Sequence, residues 1–394
     1  MKNFLRLLLT IVVLYLTLSP SFSQDISNNT FGKGLSVAAK DSSMSMKFGL
    51  RFSTLYEGFY EPESKEYIDN LLIRRFRLKF DGFVFSPKLV YKVEIGVSNR
   101  DIGGVDENTN GAARLLLDGV IKWNFAGNFV LWFGQTKLPG NRERVVSSQK
   151  LQFVDRSLLN SRFNLDRDIG LQLHHHHKVG NAVIREIFSI SKGEGRNVVI
   201  KNKPGYDYTG RLEFLPFGLF AKKGDYFESD LAREPRPKLA IGATYDYNAG
   251  AIRSRGQLGT WLPETRNLYS WYVDAIYKHK GFSAMFEYAN RQTEGSSVVE
   301  RDPNTGDVVL SFYTGEAING QMAYLLKSNW EIGVRATLLN QDPDTERLDL
   351  RQYTMGVSKY IVGHSLKAQT DITFQDTVNG TDLWMFRFQI ELAF

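Results

Sequence analysis

The sequence predicts an all-β fold: a transmembrane antiparallel β-barrel of about 16 strands with an inward-folded third external loop. Three observations predict it. The N-terminus carries an export signal, and segments of about ten residues alternate apolar and polar side chains. The connections between these segments alternate between short and long. No apolar run after Gln24 approaches the roughly 20 residues that a membrane-spanning helix needs.

The composition excludes several classes of function. The chain has 394 residues with 27 Phe, 18 Tyr and 6 Trp, and it contains no cysteine. The absence of cysteine excludes disulfide scaffolds, Cys-ligated zinc, iron–sulfur clusters and thiol chemistry, and we predict no cofactor. A high aromatic content combined with a polar average composition is typical of a barrel wall that has one face toward lipid and the other toward water.

The N-terminus predicts export. Lys2 and Arg6 precede or interrupt an apolar stretch that ends at Leu18, and Ser21 and Ser23 fit a signal-peptidase site. We therefore predict a signal peptide over residues 1–23, an N-terminal periplasmic segment over residues 24–44 and a barrel over residues 45–394 in the cell outer membrane. A membrane anchor is the alternative for the first segment, but the stretch is short for a span.

The alternation predicts the strands of the barrel. From Trp384 to Phe394 every even position is apolar, whereas Arg387, Gln389 and Glu391 lie among the odd positions. Such a strand presents one face to lipid and the other to water. The chain contains 16 segments of this kind, which begin near Ser45, Asn70, Lys88, Leu115, Phe129, Ile169, Ala182, Tyr208, Leu239, Tyr269, Phe282, Ile318, Trp330, Leu350, Ser365 and Leu383.

The connections between the predicted strands give an independent test. Those after even-numbered strands are mostly tight, such as Ser86-Pro87, and those after odd-numbered strands are mostly longer, such as Leu138–Asp168. Short periplasmic turns alternating with long external loops are typical of transmembrane barrels. The long connection Pro216–Lys238 is an exception, and we place it on the periplasmic side. An exported soluble β-sandwich or propeller is the alternative fold.

The polar faces carry both signs of charge, and a barrel of this size leaves an aqueous channel. Mutual pairing and hydration account for most of these charges. The predicted lumen residues are Arg75, Arg77, Lys79, Lys92, Arg211, Arg335, Lys367 and Arg387 against Asp81, Glu94, Asp118, Glu213, Glu287, Glu331 and Asp371. A mixed wall of this kind does not by itself select anions.

The third long loop is more informative. From Lys137 to Asp168 it holds seven bases and four acids, and Arg142–Leu158 is predicted to form a short helix. Folded into the channel, it forms a positive constriction with the bases of the second strand, and such rings favour anions and phosphates. The predicted constriction residues are Arg75, Arg77, Lys79, Arg142, Arg144, Lys150 and Arg156. The alternative is that the loop bases are solvated or pair with the loop acids.

Other candidate sites are weaker. In the run His174–His177 alternation allows at most two side chains on one face, so we interpret it as rim polarity, with a metal site as the alternative. The acids at Asp106–Asn108 and Asp342–Glu346 lack an EF-hand-type ligand loop and are interpreted as solvated. No phosphate-binding glycine loop, His-Glu-x-x-His pair or nucleophile elbow is present. We expect no enzyme, although a Ser–His hydrolase remains an alternative because its residues need not be close in sequence.

Four stretches resemble the phosphate-selective porin O and P family: Phe133–Leu159 (FGQTKLPGNRERVVSSQKLQFVDRSLL), Ile73–Gly82, Arg211–Gly218 and Trp330–Asn340. The terminal Phe394 resembles the barrel-assembly signal of outer-membrane proteins. The exported, aromatic-rich chain is also similar to Bacteroidetes-type outer-membrane porins. The resemblance covers roughly Met44–Phe394.

The resemblance implies a 16-stranded, commonly trimeric porin whose basic side chains guide anions, with Arg75, Arg77, Arg142 and Arg144 carried over by position. Two departures, a first strand with only Lys47 and Arg51 as bases and a lumen of mixed sign, favour general or weakly anion-selective diffusion over strict phosphate selectivity. The implied partners are outer-membrane lipid and lipopolysaccharide, small anionic solutes, a homotrimer and the barrel-assembly machinery, with no nucleic acid. A barrel acting as a scaffold in a surface or secretion complex is the alternative function.

Overall fold

The computed structural model describes residues 31–104 and 106–394. The predicted signal peptide therefore lies outside the described residues. The strands are β1 (Leu35–Ala38), β2 (Met44–Glu61), β3 (Glu66–Val84), β4 (Ser86–Gly96), β5 (Leu116–Ala126), β6 (Phe129–Lys137), β7 (Arg167–Val179), β8 (Ala182–Ser191), β9 (Asp207–Leu215), β10 (Lys238–Arg253), β11 (Trp261–His279), β12 (Phe282–Thr293), β13 (Val298–Arg301), β14 (Val308–Ser311), β15 (Gly315–Leu325), β16 (Trp330–Gln341), β17 (Leu350–Val362), β18 (Leu366–Thr377) and β19 (Leu383–Ala393).

Helical structure in residues 31–104 and 106–394 is confined to short elements. Two α-helices, α1 (Arg142–Val145) and α2 (Leu158–Phe163), both lie between β6 and β7. The 3-10 turns are Glu107–Thr109, Ser148–Lys150, Ala221–Tyr226 and Pro343–Thr345. Within the residues described, no helix combines the length and apolar character that crossing a bilayer demands.

Sixteen of the strands form one closed antiparallel ring, as the sequence predicts. Each strand from β2 to β11 pairs with the next, β12 pairs with β15, and the succession continues to β19. The last strand returns to the first, with Phe388 of β19 opposite Tyr56 of β2. Closure leaves no unpaired strand edge, which is the condition for a sheet to lie in hydrocarbon.

The two faces of the ring differ as alternation requires. On β19, Phe386 and Ile390 are 47% and 46% exposed on the outer surface, whereas Glu391 and Arg387 point inward and are buried. Arg387 donates to Asp371 of the neighbouring strand over 2.6 Å. The apolar side chains therefore cover the outside of the wall, and the charged ones pair in its interior.

The connections sort by length at the two ends of the barrel, with small differences from prediction. One end carries tight turns such as Gly180-Asn181 and Lys280-Gly281. β11 begins at Trp261, eight residues before the predicted start near Tyr269, and β10 continues to Arg253. This extended hairpin contains register shifts and Pro263, which break the alternation on which the prediction depends.

The segment before the barrel adds one short strand. β1 pairs with the start of β2, with Leu35 opposite Phe48 and Ala38 opposite Ser45. β19 ends beside Leu50, where Phe394 exchanges two backbone hydrogen bonds with that residue. β1 therefore covers the edge of β2 that β19 leaves free.

The connection between β9 and β10 folds across the end of the barrel that carries the tight turns. Phe220 packs on Val183 and Met285 of the inner wall. Asp230 accepts a hydrogen bond from the backbone of Gly281 at 2.8 Å, and Arg233 donates to the carbonyl of Leu325 at 2.8 Å. This long segment partly fills the barrel mouth at that end.

Candidate functional site

The segment between β6 and β7, residues 138–166, binds the inner surface of the ring and narrows its lumen. Arg142 of α1 is 1% exposed and donates to Asp274 of β11 at 2.7 Å and to Glu213 of β9 at 3.4 Å. Glu287 of β12 accepts from the backbone of Glu143 at 2.6 Å. Three acids of the wall thus hold the beginning of the segment.

The middle of the segment continues across the lumen in an irregular conformation. The backbone N–H of Val154 donates to Asp371 of β18 at 3.0 Å, and Arg335 of β16 donates to the carbonyl of Asp155 at 2.9 Å. The backbone N–H of Gln152 donates to the carboxylate of Glu228 at 2.8 Å. Of the predicted helix Arg142–Leu158, α1 forms at the start and a 3-10 turn follows at Ser148–Lys150, but the residues between Lys150 and Leu158 are not helical. Side chains of the wall and Glu228 of the β9–β10 connection, not helical hydrogen bonds, satisfy the backbone there.

The end of the segment packs on an apolar patch of the inner wall. Leu159 and Phe163 of α2 are completely buried against Tyr272, Ala289 and Leu339. Arg291 of β12 also donates to the carbonyl of Phe163 at 2.8 Å. This apolar contact fixes the return of the chain to β7.

On the opposite side the segment is clamped to β3. Asp155 lies 2.9 Å from Arg74 and 3.3 Å from Arg75, and Arg75 is 2% exposed. Although burial opposes its ionisation, these two guanidinium groups hold the pKa of Asp155 well below its usual value. The clamp places a single acid of the segment between two wall bases.

The space that remains between the segment and strands β3–β9 is a cavity of about 470 Å³. Its charged lining is dominated by bases. They are Arg77, Lys92, Lys122, Lys137, Arg144, Lys150, Arg156, Arg167, Arg211 and Lys223, against the acids Glu94, Asp118 and Glu213. We call this space the basic passage.

Five bases of the basic passage make no ion pair with an acid in the part of the chain that the structure describes: Lys122, Lys137, Lys150, Arg156 and Lys223. Lys122 lies 3.4 Å above the ring of Trp132, and Lys150 lies 3.6 Å from the ring of Phe227. Arg156 donates to the carbonyls of Glu143 and Val146, both at 2.8 Å. Their positive charge is therefore not neutralised locally.

A second cavity of about 230 Å³ continues the basic passage toward the end with tight turns. The two share Arg77, Lys92, Glu94, Ser147 and Lys150. Beyond these, the second cavity reaches the bases Lys33, Lys47, Arg51 and Lys79 and the acid Asp81. Lys150 therefore lies where the two spaces join.

Crowding of positive charge alters the ionisation of the segment. Burial and the nearby Lys79, Lys223 and Lys92 lower the pKa of Lys150 to about 8. Burial also lowers the pKa of Arg156 to about 10, with Glu143, Glu228 and Asp155 opposing the shift. Both groups carry a proton near neutral pH.

The structure separates the seven predicted constriction residues into two sets. Arg77, Arg144, Lys150 and Arg156 line the basic passage, and Lys79 lines its continuation. Arg75 and Arg142 line neither cavity, because both are buried in ion pairs that hold the segment. The prediction that these two residues line the constriction is therefore corrected: they anchor the 138–166 segment to the wall.

Three of the five bases that lack an acid are not among the predicted constriction residues: Lys122, Lys137 and Lys223. Lys137 is counted only among the seven bases of the third long loop, and the other two are not selected at all. Lys122 lies on the polar face of a predicted strand between Ile121 and Trp123, so alternation alone carries the signal that it points inward. Lys223 belongs to the β9–β10 connection, whose inward course no local pattern indicates. The acidic clusters act in turns: Asp106 caps the 3-10 turn Glu107–Thr109, and Asp342 caps Pro343–Thr345.

The comparisons with known proteins agree with the barrel. Residues 46–228 match the family model described as phosphate-selective porin O and P, the family that the sequence resembles. No curated protein matches the chain.

Several solved structures are similar over nearly their whole length. The anion-selective porin from Comamonas acidovorans superposes with a TM-score of 0.57 at 11% identity, covering 89% of this chain and 100% of its own. The trimer form of in-vitro folded OmpT from Vibrio cholerae gives 0.52 at 9% identity, covering 89% and 99%. A porin refined at 1.8 Å resolution gives 0.50 at 13% identity, covering 88% and 100%. At these identities the likeness shows the fold.

Proposed function

We propose, from the place of residues 46–228 in the phosphate-selective porin O and P family, that this chain is an outer-membrane porin through which small anions diffuse passively. Phosphate-type anions are among the candidate solutes. The family and the barrel fold support a channel rather than an enzyme.

The observation that carries the anion bias is the unequal division of charge across the lumen. The 138–166 segment lies on the wall acids Asp274 and Glu287 and covers them with the guanidinium group of Arg142 and the backbone N–H of Glu143. The side left open is the basic passage, where ten bases face three acids. A passing ion therefore meets mostly positive charge.

The bases suit diffusing anions because they are held by contacts that leave their charge in place. Lys122 and Lys150 lie on aromatic rings, which position an ammonium group without neutralising it. A ring of Lys and Arg at a narrow point lowers the energy of an anion and raises that of a cation. The guanidinium group of Arg156 adds a planar donor that matches phosphate oxygens.

The test is conductance of the purified barrel in planar bilayers under a potassium chloride gradient. We expect open-channel current with a reversal potential on the anion side. Absence of current from folded barrels would refute the porin function and favour the scaffold alternative. A reversal potential on the cation side would refute the anion bias and leave the channel standing.

Phosphate-type anions are tested separately by adding inorganic phosphate to the chloride solution. We expect millimolar phosphate to reduce chloride current, because a multivalent oxyanion interacts longer with Lys150, Arg156 and their neighbours than chloride does. The control is the same addition to an Arg156→Gln barrel, in which the block should weaken. Equal block in both barrels contradicts a role for this guanidinium group.

The proposal extends to the assembly state and to the partners. We propose a homotrimer in the outer membrane, in contact with lipid and lipopolysaccharide, assembled by machinery that reads Phe394. Light scattering of the detergent-solubilised protein tests the trimer, with a monomer mass as the contradicting result. Removal of Phe394 tests the assembly signal and should reduce the amount of heat-modifiable barrel in outer membranes.

A further inference from the structure

The four consecutive histidines of β7 are divided between the two faces of the wall. His174 lines the basic passage. His175 lies on the outer face, where its ring stacks on Phe129 at 4.1 Å, and its ring centroid lies 5.5 Å from that of His177. Alternation thus places one pair of imidazoles inside and the other pair, His175 and His177, outside.

A carboxylate from the next strand meets the outer pair. Glu186 of β8 is directly opposite His175 in the antiparallel register. Its two oxygens approach one imidazole each: Oε2 lies 3.0 Å from Nδ1 of His175, and Oε1 lies 3.2 Å from Nδ1 of His177. One donor atom from each of the three residues lies within 4.8 Å of the others.

The surroundings give an ion access to these three groups. The side chains of His175, His177 and Glu186 are 25%, 40% and 41% exposed. They lie within a few residues of the turn Gly180-Asn181, at the rim of the barrel, beside the aromatic residues Phe125 and Phe129. Arg185, which precedes Glu186 in the sequence, pairs instead with Glu213 and Asp225 and does not compete for the carboxylate.

We propose that His175, His177 and Glu186 form a binding site for a divalent transition-metal ion at the rim of the barrel. Two imidazole nitrogens and one carboxylate oxygen are a donor set that suits Zn²⁺, Co²⁺, Ni²⁺ or Cu²⁺. Ligand atoms about 2 Å from such an ion lie roughly 3.3 Å from one another, so the donors need to move by only about an ångström. Three protein ligands leave at least one position for water.

The site joins two neighbouring strands. His175 and His177 belong to β7 and Glu186 belongs to β8, so a bound ion crosslinks the hairpin close to its turn. An ion that binds only the folded arrangement stabilises the folded barrel. The site therefore has two readouts, metal affinity and the temperature of barrel unfolding, and neither depends on conductance.

The experiment is a titration of the folded barrel in detergent with Zn²⁺ by calorimetry and with Co²⁺ by absorbance, on protein purified through a tag without histidine. We expect one ion per chain and an increase of the unfolding temperature with Zn²⁺. The variants His175→Ala, His177→Ala and Glu186→Gln should each weaken binding at least tenfold. The matched control is His176→Ala, which removes a histidine of the same run from the other face and should leave binding unchanged.

Glu186→Gln is the deciding variant, since a flexible run of histidines binds metal without any residue of β8. Unchanged affinity in Glu186→Gln, or equal loss in His176→Ala and His175→Ala, overturns the proposal. So does the absence of saturable binding at 100 µM Zn²⁺ or below.

Discussion

Reversing the charge of Lys150 should reduce the anion preference of the channel about fivefold in permeability ratio at ~0.1 M salt. Lys150 is chosen because it lies where the two cavities join and makes no ion pair within the described residues. Its ammonium group lies over the ring of Phe227, 3.6 Å from the ring centroid. The substitution Lys150→Glu therefore changes charge without removing an anchor of the segment.

The magnitude follows from Coulomb's law. An ion about 8 Å from a unit charge in water interacts by about 0.5 kcal/mol, so reversing the sign of that charge changes the interaction by about 1 kcal/mol. Screening at ~0.1 M salt roughly halves this value. Anions lose and cations gain about 0.5 kcal/mol each, so their permeability ratio changes by about 1 kcal/mol, or roughly fivefold.

The assay is the zero-current potential across a tenfold potassium chloride gradient, measured on single channels. The matched control is Lys327→Glu, which makes the same change of charge in the exposed turn between β15 and β16, away from the basic passage. An unchanged reversal potential in Lys150→Glu refutes the reasoning. So does an equal shift in both variants, because that would show that the net charge of the molecule, not the basic passage, sets selectivity.

Three further predictions follow from the same contacts. Anion preference should fall between pH 7 and 9, because Lys150, with a pKa lowered to about 8, loses its positive charge above that pH; selectivity against pH should show a smaller step in Lys150→Met. Arg142→Ala leaves Asp274 and Glu213 short of a buried partner, so the free energy of unfolding should fall by about 3–5 kcal/mol, seen as a lower temperature of heat-modifiable migration, with Arg142→Lys intermediate. Lys223→Glu should lower the anion preference by about threefold in the same reversal-potential assay, and an unchanged value would contradict the inward course of the β9–β10 connection.

The strands of the barrel wall could be predicted from the sequence because apolar and polar residues alternate along each strand and so identify both of its faces. Residues such as Phe386 and Arg387 must lie on opposite sides of a strand, and lipid on one side makes the register unambiguous. Thirteen of the sixteen predicted starts lie within two residues of the observed ones. The starts need not be exact for this purpose, since pairing, not the first residue, closes the ring. The start of β11 failed where the hairpin passes beyond the alternating region, at Pro263 and its neighbours.

The interior segments could not be predicted in the same way. Their contacts join residues far apart in sequence, such as Val154 with Asp371 and Gln152 with Glu228, and no local period encodes them. The composition of the 138–166 segment showed that it is rich in bases. It did not show which base anchors the segment and which makes no ion pair. Lys223 was missed for the same reason, because only tertiary contact brings it to the basic passage.

The net charge of the segment is therefore a poor measure of what a solute encounters. Arg142 is committed to Asp274 and Glu213, and Arg144 to Asp166, so these bases neutralise acids of the wall and of the segment itself. Because these acids are already paired with the segment, they do not offset the positive charge of the basic passage. The bases of the basic passage therefore face fewer acids than the wall as a whole contains. The anchor and the selectivity of the channel thus depend on the same sorting of charge. Arg142→Ala should change stability more than selectivity, and Lys150→Glu should do the reverse; if both variants change both properties equally, the sorting does not exist.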